Sequence, residues 1–199
     1  MNIPANIAII GCGTLGSSLA YQLTLLSREQ NIKRLFLIDR DCLETKNLPY
    51  LCAASDAVRY RGRPKSFILG DMLQRLNPEL EVFDFYEYYP ECKEFNKLPY
   101  ADIFMIDCRD TADQSKDFHV KLNLDGSYGI INFGLNDKES GKESRYTLGE
   151  SKYNALLFST ICIGMIKQYE EHRGKKYGID LDKSCFGVCG GIYDIGNSG

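Results

Sequence analysis

The run Gly11-Cys12-Gly13-Thr14-Leu15-Gly16 has the residue types and spacing of a glycine turn that holds a phosphate. The apolar run Ile7 to Ile10 leads into it and an amphipathic stretch follows. A strand that turns through glycines into a helix presents unpaired backbone N–H groups, and the positive end of the helix dipole, to an anion. A second apolar run, Leu35 to Ile38, ends in Asp39, where a carboxylate can accept hydrogen bonds from both hydroxyls of a ribose. These residues predict a nucleotide site. Alone they leave dinucleotide redox chemistry and adenylate chemistry equally open.

The elements that must carry these residues show as a rhythm along the chain. Strand-like runs recur at Ile7 to Ile10, Leu35 to Ile38, Val82 to Tyr86, Ile103 to Ile106 and Tyr128 to Phe133, with helical periodicity between them. Such alternation predicts an α/β fold: a Rossmann-like, doubly wound, mostly parallel sheet with helices on both faces. Their apolarity is continuous rather than alternating, as in strands covered on both faces. Between Pro64 and Asn77, Ile68, Met72, Leu73 and Leu76 mark one face of a helix; Pro64 suits its first turn and Asn77-Pro78 ends it. At 199 residues the chain can bury one substantial core.

After Gly134 a polar stretch through Ser144 precedes a short strand candidate, Arg145 to Leu148, and then a helix from about Lys152 to Glu171. The centre of that helix, ALLFSTICIGMI, is apolar nearly all round, which predicts burial in the core or at a subunit interface. From His172 onward the chain is glycine-rich, without clear periodicity, and its last residues are expected to be mobile.

A formal net charge of −3 argues against a general nucleic-acid binder, which needs a basic excess on one face. No apolar stretch approaches the roughly 20 residues of a membrane helix. The first apolar run lacks the basic flank and small-residue cleavage site of a secretion signal. A cytoplasmic protein with no membrane partner is therefore expected. Its eight cysteines read as reduced thiols, with Cys12 and Cys108 as small core residues. Cys185 and Cys189 have no second pair and fall short of the four ligands of a structural zinc.

Four further features fall in order: Asp39-x-Asp41 with Asn47-Leu48, Gly62-Arg63-Pro64-Lys65 opening a helix, Leu76-Asn77-Pro78 closing it, and Asp107-Cys108-Arg109-Asp110-Thr111 after the fourth strand. In this combination the sequence resembles the ThiF/MoeB/HesA-type adenylyltransferases, the fold of the ubiquitin-activating enzymes, over about Ile7 to Leu148. The resemblance implies an adenylation domain over residues 1–150, with 151–199 as the C-terminal helix and tail of the same domain. It implies ATP and Mg2+ as cofactors, a dimer of like or unlike chains, and adenylation of the C-terminal glycine carboxylate of a ubiquitin-like or sulfur-carrier protein. It maps the family's ribose aspartate onto Asp39, its asparagine onto Asn47, its lysine onto Lys65 and its magnesium aspartate onto Asp110.

The physical roles fit those positions. Adenylation needs the α-phosphate held, its growing charge offset, the ribose anchored and magnesium steered to the departing pyrophosphate. Gly11, Gly13, Thr14 and Gly16 form the turn under the phosphates, and Asp39 takes the ribose. Asn47 is placed at the phosphate region, with Asp41 and Thr111 completing the cofactor-binding set. Lys65, at a helix N-terminus, supplies a point charge. Asp110 suits magnesium, a hard cation that prefers carboxylate oxygen and few protein ligands. Each residue also has a plainer reading: Asp39 capping a loop, Lys65 solvated at a helix start, Asp110 as N-cap of a helix through Val120.

Two departures qualify the resemblance. Tyr50 stands where family members usually carry an arginine, and only Met1 to Ala5 precede the first strand, where members usually carry a helix with a further arginine. Arg61 and Arg63 lie close to Lys65 and are the expected replacement cations. Two other readings stay open: a catalytically degenerate subunit or binding module of a heteromeric activating complex, and an NAD-dependent oxidoreductase, which leaves Lys65 and Asp110 unexplained.

Overall fold

The computed structural model describes residues 3–47, 60–100, 102–110, 118–125, 127–134, 151–181 and 193–194. Strand β1 (Asn6–Ile10) leads through the glycine turn into α1 (Thr14–Gln30) and β2 (Arg34–Ile38). A 3-10 turn (Thr45–Asn47), α2 (Lys65–Leu76), β3 (Glu81–Phe85), α3 (Lys93–Asn96) and β4 (Phe104–Asp107) come next. Then follow β5 (Val120–Asp125), β6 (Tyr128–Asn132), α4 (Ser151–Ile166), α5 (Tyr169–His172), β7 (Lys176–Asp180) and β8 (Tyr193–Asp194). All the strands join one sheet in the order β3-β2-β1-β4-β5-β6-β7-β8. The strands from β3 to β5 in that order are parallel, and β6, β7 and β8 are added antiparallel.

The continuous apolar strands divide by the two-residue period of a pleated sheet. Ile7, Ile9, Leu35, Leu37 and Ile106 face the core shared with α1, α2 and α4. Ala8, Ile10, Phe36, Ile38 and Met105 face the opposite core, closed by Tyr89, Cys92 and Phe95 from the segment around α3. Covering both faces is what allows parallel strands to be apolar at every position.

Helix α4 lies on the same face as α1, and Gln22 of α1 donates to the Leu156 carbonyl at 2.9 Å while Thr160 donates back to Gln22 at 2.8 Å. Its Ala155, Phe158, Cys162, Ile163 and Ile166 are buried, whereas Tyr153 is 61% exposed. Gly129 on β6 lets this helix approach the sheet, since a Cβ there would collide with the Phe158 ring.

Several sequence expectations change here. The run through Phe133 forms β6, which ends at Asn132 and pairs antiparallel with β5 and β7. Val120 ends no helix: it opens β5, where Val120, Leu122 and Leu124 are buried between half-exposed Lys121 and Asn123, a period of two. The helix expected from Lys152 to Glu171 stops at Ile166 and resumes as the short α5. Within the glycine-rich tail, Tyr177 and Ile179 are buried on β7, so tertiary packing recruits a segment with little intrinsic strand signal. The strand candidate at Arg145 to Leu148 lies outside the described residues.

Candidate nucleotide-binding site

Because β1 lies between β2 and β4, the chain leaves β1 toward one side of the sheet and returns on the other. That reversal opens a crevice at the carboxyl ends of the strands, where open α/β sheets bind ligands. The glycine turn sits in it. Gly11 has φ +92° and donates its N–H to the Ile38 carbonyl at 2.8 Å. A Cβ there would lie 3.0 Å from Arg109 Cγ and 3.2 Å from the Arg109 nitrogen. A Cβ on Gly16 would collide with the Gly11 carbonyl oxygen. Gly16→Ala should therefore cost about 1–3 kcal/mol of stability through overpacking, measurable by urea unfolding.

Gly13 is different: among the described residues no atom lies within 4 Å of the position a Cβ would take. It is the N-cap of α1, bears no side chain to cap the helix, and the first turn that begins with Thr14 contains no acid. Among the described residues no side chain caps the first N–H groups of this 17-residue helix, which leaves them and its dipole end for an anion, as a phosphate cradle requires.

Asp39 braces the turn. Its Oδ2 accepts the Cys12 N–H at 2.7 Å and its Oδ1 the Asp41 N–H at 2.8 Å, while its own N–H donates to the Phe85 carbonyl at 3.1 Å. One residue, through its side chain and its main chain, therefore links the ends of β1, β2 and β3. Burial pushes its carboxyl pKa above the ordinary aspartate value, opposed by those two N–H groups and by the Lys65 charge. A carboxyl whose pKa is raised on folding contributes stability below its unfolded value, and loses that contribution as pH rises through the folded one. Relative to Asp39→Asn, the wild type should lose stability as pH rises across this window, checked by urea unfolding at a series of pH values.

Lys65, the first residue of α2, joins the same cluster. Its Nζ lies 3.0 Å from Asp41 Oδ2, its N–H donates to the Asp41 carbonyl at 2.9 Å, and its side chain is only 11% exposed. The turn before α2 is held to the loop after β2 by Leu43 donating to the Arg63 carbonyl and Gly62 donating to the Leu43 carbonyl. It carries Arg61 and Arg63, both exposed, with the Arg63 guanidinium 5.7 Å from the centre of the Phe67 ring. Asn47 closes its own 3-10 turn, its Oδ1 accepting the Glu44 N–H at 3.0 Å. Asp110 is exposed just beyond β4. Tyr50 and Thr111 lie outside the described residues.

The structure adds residues to which the sequence assigned no role. Asp107, fully buried at the end of β4, receives Arg109 Nε at 2.9 Å and lies 3.4 Å from Lys121 on β5. Burying a carboxylate is costly unless cations and hydrogen bonds surround it, and β4 places it beside both. The motif Asp107-Cys108-Arg109 was visible, but no local pattern announced a lysine arriving from a later strand. Tyr86, 55% exposed, meets Cys42 at 3.4 Å near Asp41, and Tyr88 lies 4.5 Å under the Arg40 guanidinium.

Cys12 and Cys108 are core residues, and burial raises both thiol pKa values well above normal, helped by Asp39 for Cys12 and Asp107 for Cys108. Neither should react with a thiol reagent in the native protein at mildly alkaline pH; labelling followed by peptide mapping would check this. Among the described residues no three His, Cys, Asp or Glu side chains gather as a metal cluster. A cavity of about 400 Å³ lies at the other end of the sheet, lined by Pro4, Phe104, His119 and Tyr169, away from the glycine turn. Among the described residues no helix is long and apolar enough to cross a membrane.

Comparison with known proteins agrees with this geometry. No protein of the curated set matches the sequence. Escherichia coli MccB solved with ATP superposes with a TM-score of 0.68 at 18% identity, covering 98% of this chain and 64% of MccB. PaaA superposes at 0.64 with 19% identity, covering 96% of this chain and 64% of its own. The E. coli tRNA N6-threonylcarbamoyladenosine dehydratase TcdA superposes at 0.60 with 16% identity, covering 84% and 86%. The present chain thus spans a little under two thirds of the MccB and PaaA chains. The family model of the ThiF family matches residues 4–119, more than half of the sequence and inclusive of the glycine turn, Asp39, Lys65 and Asp110, and the chain belongs to the ThiF family.

Proposed function

We propose that this chain binds Mg-ATP across the carboxyl ends of β1, β2 and β4 and adenylates the C-terminal carboxylate of a small protein. A ubiquitin-like or sulfur-carrier protein ending in glycine is the substrate we favour. The carrying observation is the open, uncapped N-terminus of α1 at Gly13, with Asp39 and Lys65 fixed beside it. Family membership supports the reading, as do the likeness to MccB solved with ATP and to MccB solved with AMPCPP and MccA.

In this reading a carboxylate oxygen of the substrate attacks the α-phosphorus and pyrophosphate departs. The α1 N–H groups hold the phosphates, and Asp39, already oriented by Cys12 and Asp41, accepts the ribose hydroxyls with its remaining lone pairs. Lys65 moves its charge from Asp41 to phosphate. Asn47 keeps its amide N–H2 for a phosphate oxygen while its carbonyl shapes the turn. Magnesium would offset charge on the departing pyrophosphate, with the Asp110 carboxylate as its proposed ligand. No Ser-His-Asp or Cys-His constellation is needed, because positioning and charge carry the reaction.

Calorimetry tests the nucleotide directly. Mg-ATP should bind more tightly than NAD; tighter NAD would restore the oxidoreductase reading. With Tyr50 in place of the family arginine, Arg61 and Arg63 supply charge beside the phosphates, so replacing both with alanine should abolish adenylation and adding Tyr50→Arg should partly restore it. The same Tyr50 supports a second reading, a degenerate subunit whose partner chain performs the chemistry. An isolated chain that holds a glycine-tailed protein yet forms no adenylate would favour it.

A further inference from the structure

Arg109 occupies a position that joins the loops around the crevice. Its Nε donates to Asp107 Oδ1 at 2.9 Å, its Nη2 reaches Asp107 Oδ2 at 3.3 Å, and its Nη1 donates to the Tyr89 carbonyl at 2.9 Å. Its backbone N–H also donates to Asp107 Oδ1, at 3.0 Å. The guanidinium lies 5.9, 5.8 and 5.4 Å from the ring centres of Tyr88, Tyr89 and Phe118. Its Cγ and main-chain nitrogen stand where a Cβ on Gly11 would crowd them, so the two residues are close neighbours. Segments following β1, β3 and β4, and the entry to β5, therefore meet at one side chain that is 10% exposed. Arginine suits this task because its planar fork can hold a carboxylate at two points and a carbonyl at a third, which an ammonium cannot.

Asp110 follows directly in the chain. It is exposed and lies beyond the end of β4, and among the described residues Arg109 is the anchored neighbour that joins it to the sheet. We propose that Arg109 is a positioning residue for Mg-ATP, setting the Asp110 carboxylate at a fixed distance from the Gly11 turn by anchoring the main chain between them. It acts through Asp110 and touches no substrate. The inference rests on the reading of Asp110 as the magnesium residue. Groups that orient a metal-binding side chain without touching the metal typically change affinity by about 10–100-fold when replaced.

The test is a double-mutant cycle read by calorimetry on the whole chain, titrating ATP with magnesium and ATP with a chelator. Arg109→Lys keeps a cation beside buried Asp107 while losing the fork. It should weaken Mg-ATP binding at least about tenfold and leave metal-free ATP nearly unchanged. Asp110→Ala should do the same, and the double variant should be no weaker than the worse single one, because both changes remove one arrangement. Thermal unfolding must show each variant folded. Should Arg109→Lys fail to fold, Asp107→Asn combined with Arg109→Met takes its place; it removes the buried carboxylate together with the guanidinium and leaves the Lys121 ammonium as the remaining charge beside them. Additive losses, equal losses with and without magnesium, or no loss would each overturn the positioning role. A wild-type chain that does not bind Mg-ATP would overturn the nucleotide reading itself, a different and separately visible result.

Discussion

Lys65→Ala and Asp110→Ala should each slow adenylate formation about a hundredfold, since one preorganised charge at a reacting phosphate is worth on the order of 3 kcal/mol. The structure explains why the two should differ in their side effects. Lys65 is nearly buried and paired with Asp41, so its loss also loosens the contact between the start of α2 and the loop after β2. Asp110 is exposed, so its loss should leave stability within about 0.5 kcal/mol of wild type, as surface changes usually do. Rapid-quench measurement of adenylate, beside urea unfolding of each variant, separates the chemical effect from the structural one. Full activity in Asp110→Ala would remove it from the site.

Asp39→Ala should have the largest effect on nucleotide affinity, bringing Mg-ATP binding below calorimetric detection. Two losses combine. The ribose loses its acceptor, and the Cys12 and Asp41 N–H groups lose the carboxylate that locks the glycine turn to the end of β2. An unpaired, partly buried N–H costs about 1–3 kcal/mol, so this variant should also be less stable than wild type. Asp39→Asn keeps one oxygen acceptor and should fall between the two. An alanine variant that binds Mg-ATP as wild type does would leave Asp39 a purely structural brace.

The legible part of the site is the part written in short-range pattern. Gly11 through Gly16 read as a turn because glycine alone tolerates φ +92° at Gly11 and the close approach at Gly16. Asp39 was legible from its place at a strand end, and Lys65 from its place after Pro64. What local reading could not give is how these residues are already engaged: Asp39, proposed for the ribose, spends a lone pair on each of two backbone donors, and Lys65, proposed for a phosphate, is paired with Asp41. Nor could it pair Lys121 with Asp107, because β5 hides behind a polar stretch with only three apolar positions on its buried face. The parallel strands β1, β2, β3 and β4 followed from mainly apolar runs. Its antiparallel half depends on β7, whose lysine, glycine and aspartate carry almost no signal until Tyr177 and Ile179 find the core.

The central claim is that this crevice activates a carboxylate with ATP, and isotope exchange between pyrophosphate and ATP tests it most directly. The full chain is mixed with Mg-ATP, labelled pyrophosphate and small ubiquitin-like or sulfur-carrier proteins that end in glycine. Label should enter ATP only when such a protein is present, and should cease to do so when its C-terminal carboxylate is amidated, because the adenylate forms on that group. Tight Mg-ATP binding with no exchange for any carboxylate, or exchange that persists after amidation, would contradict the account.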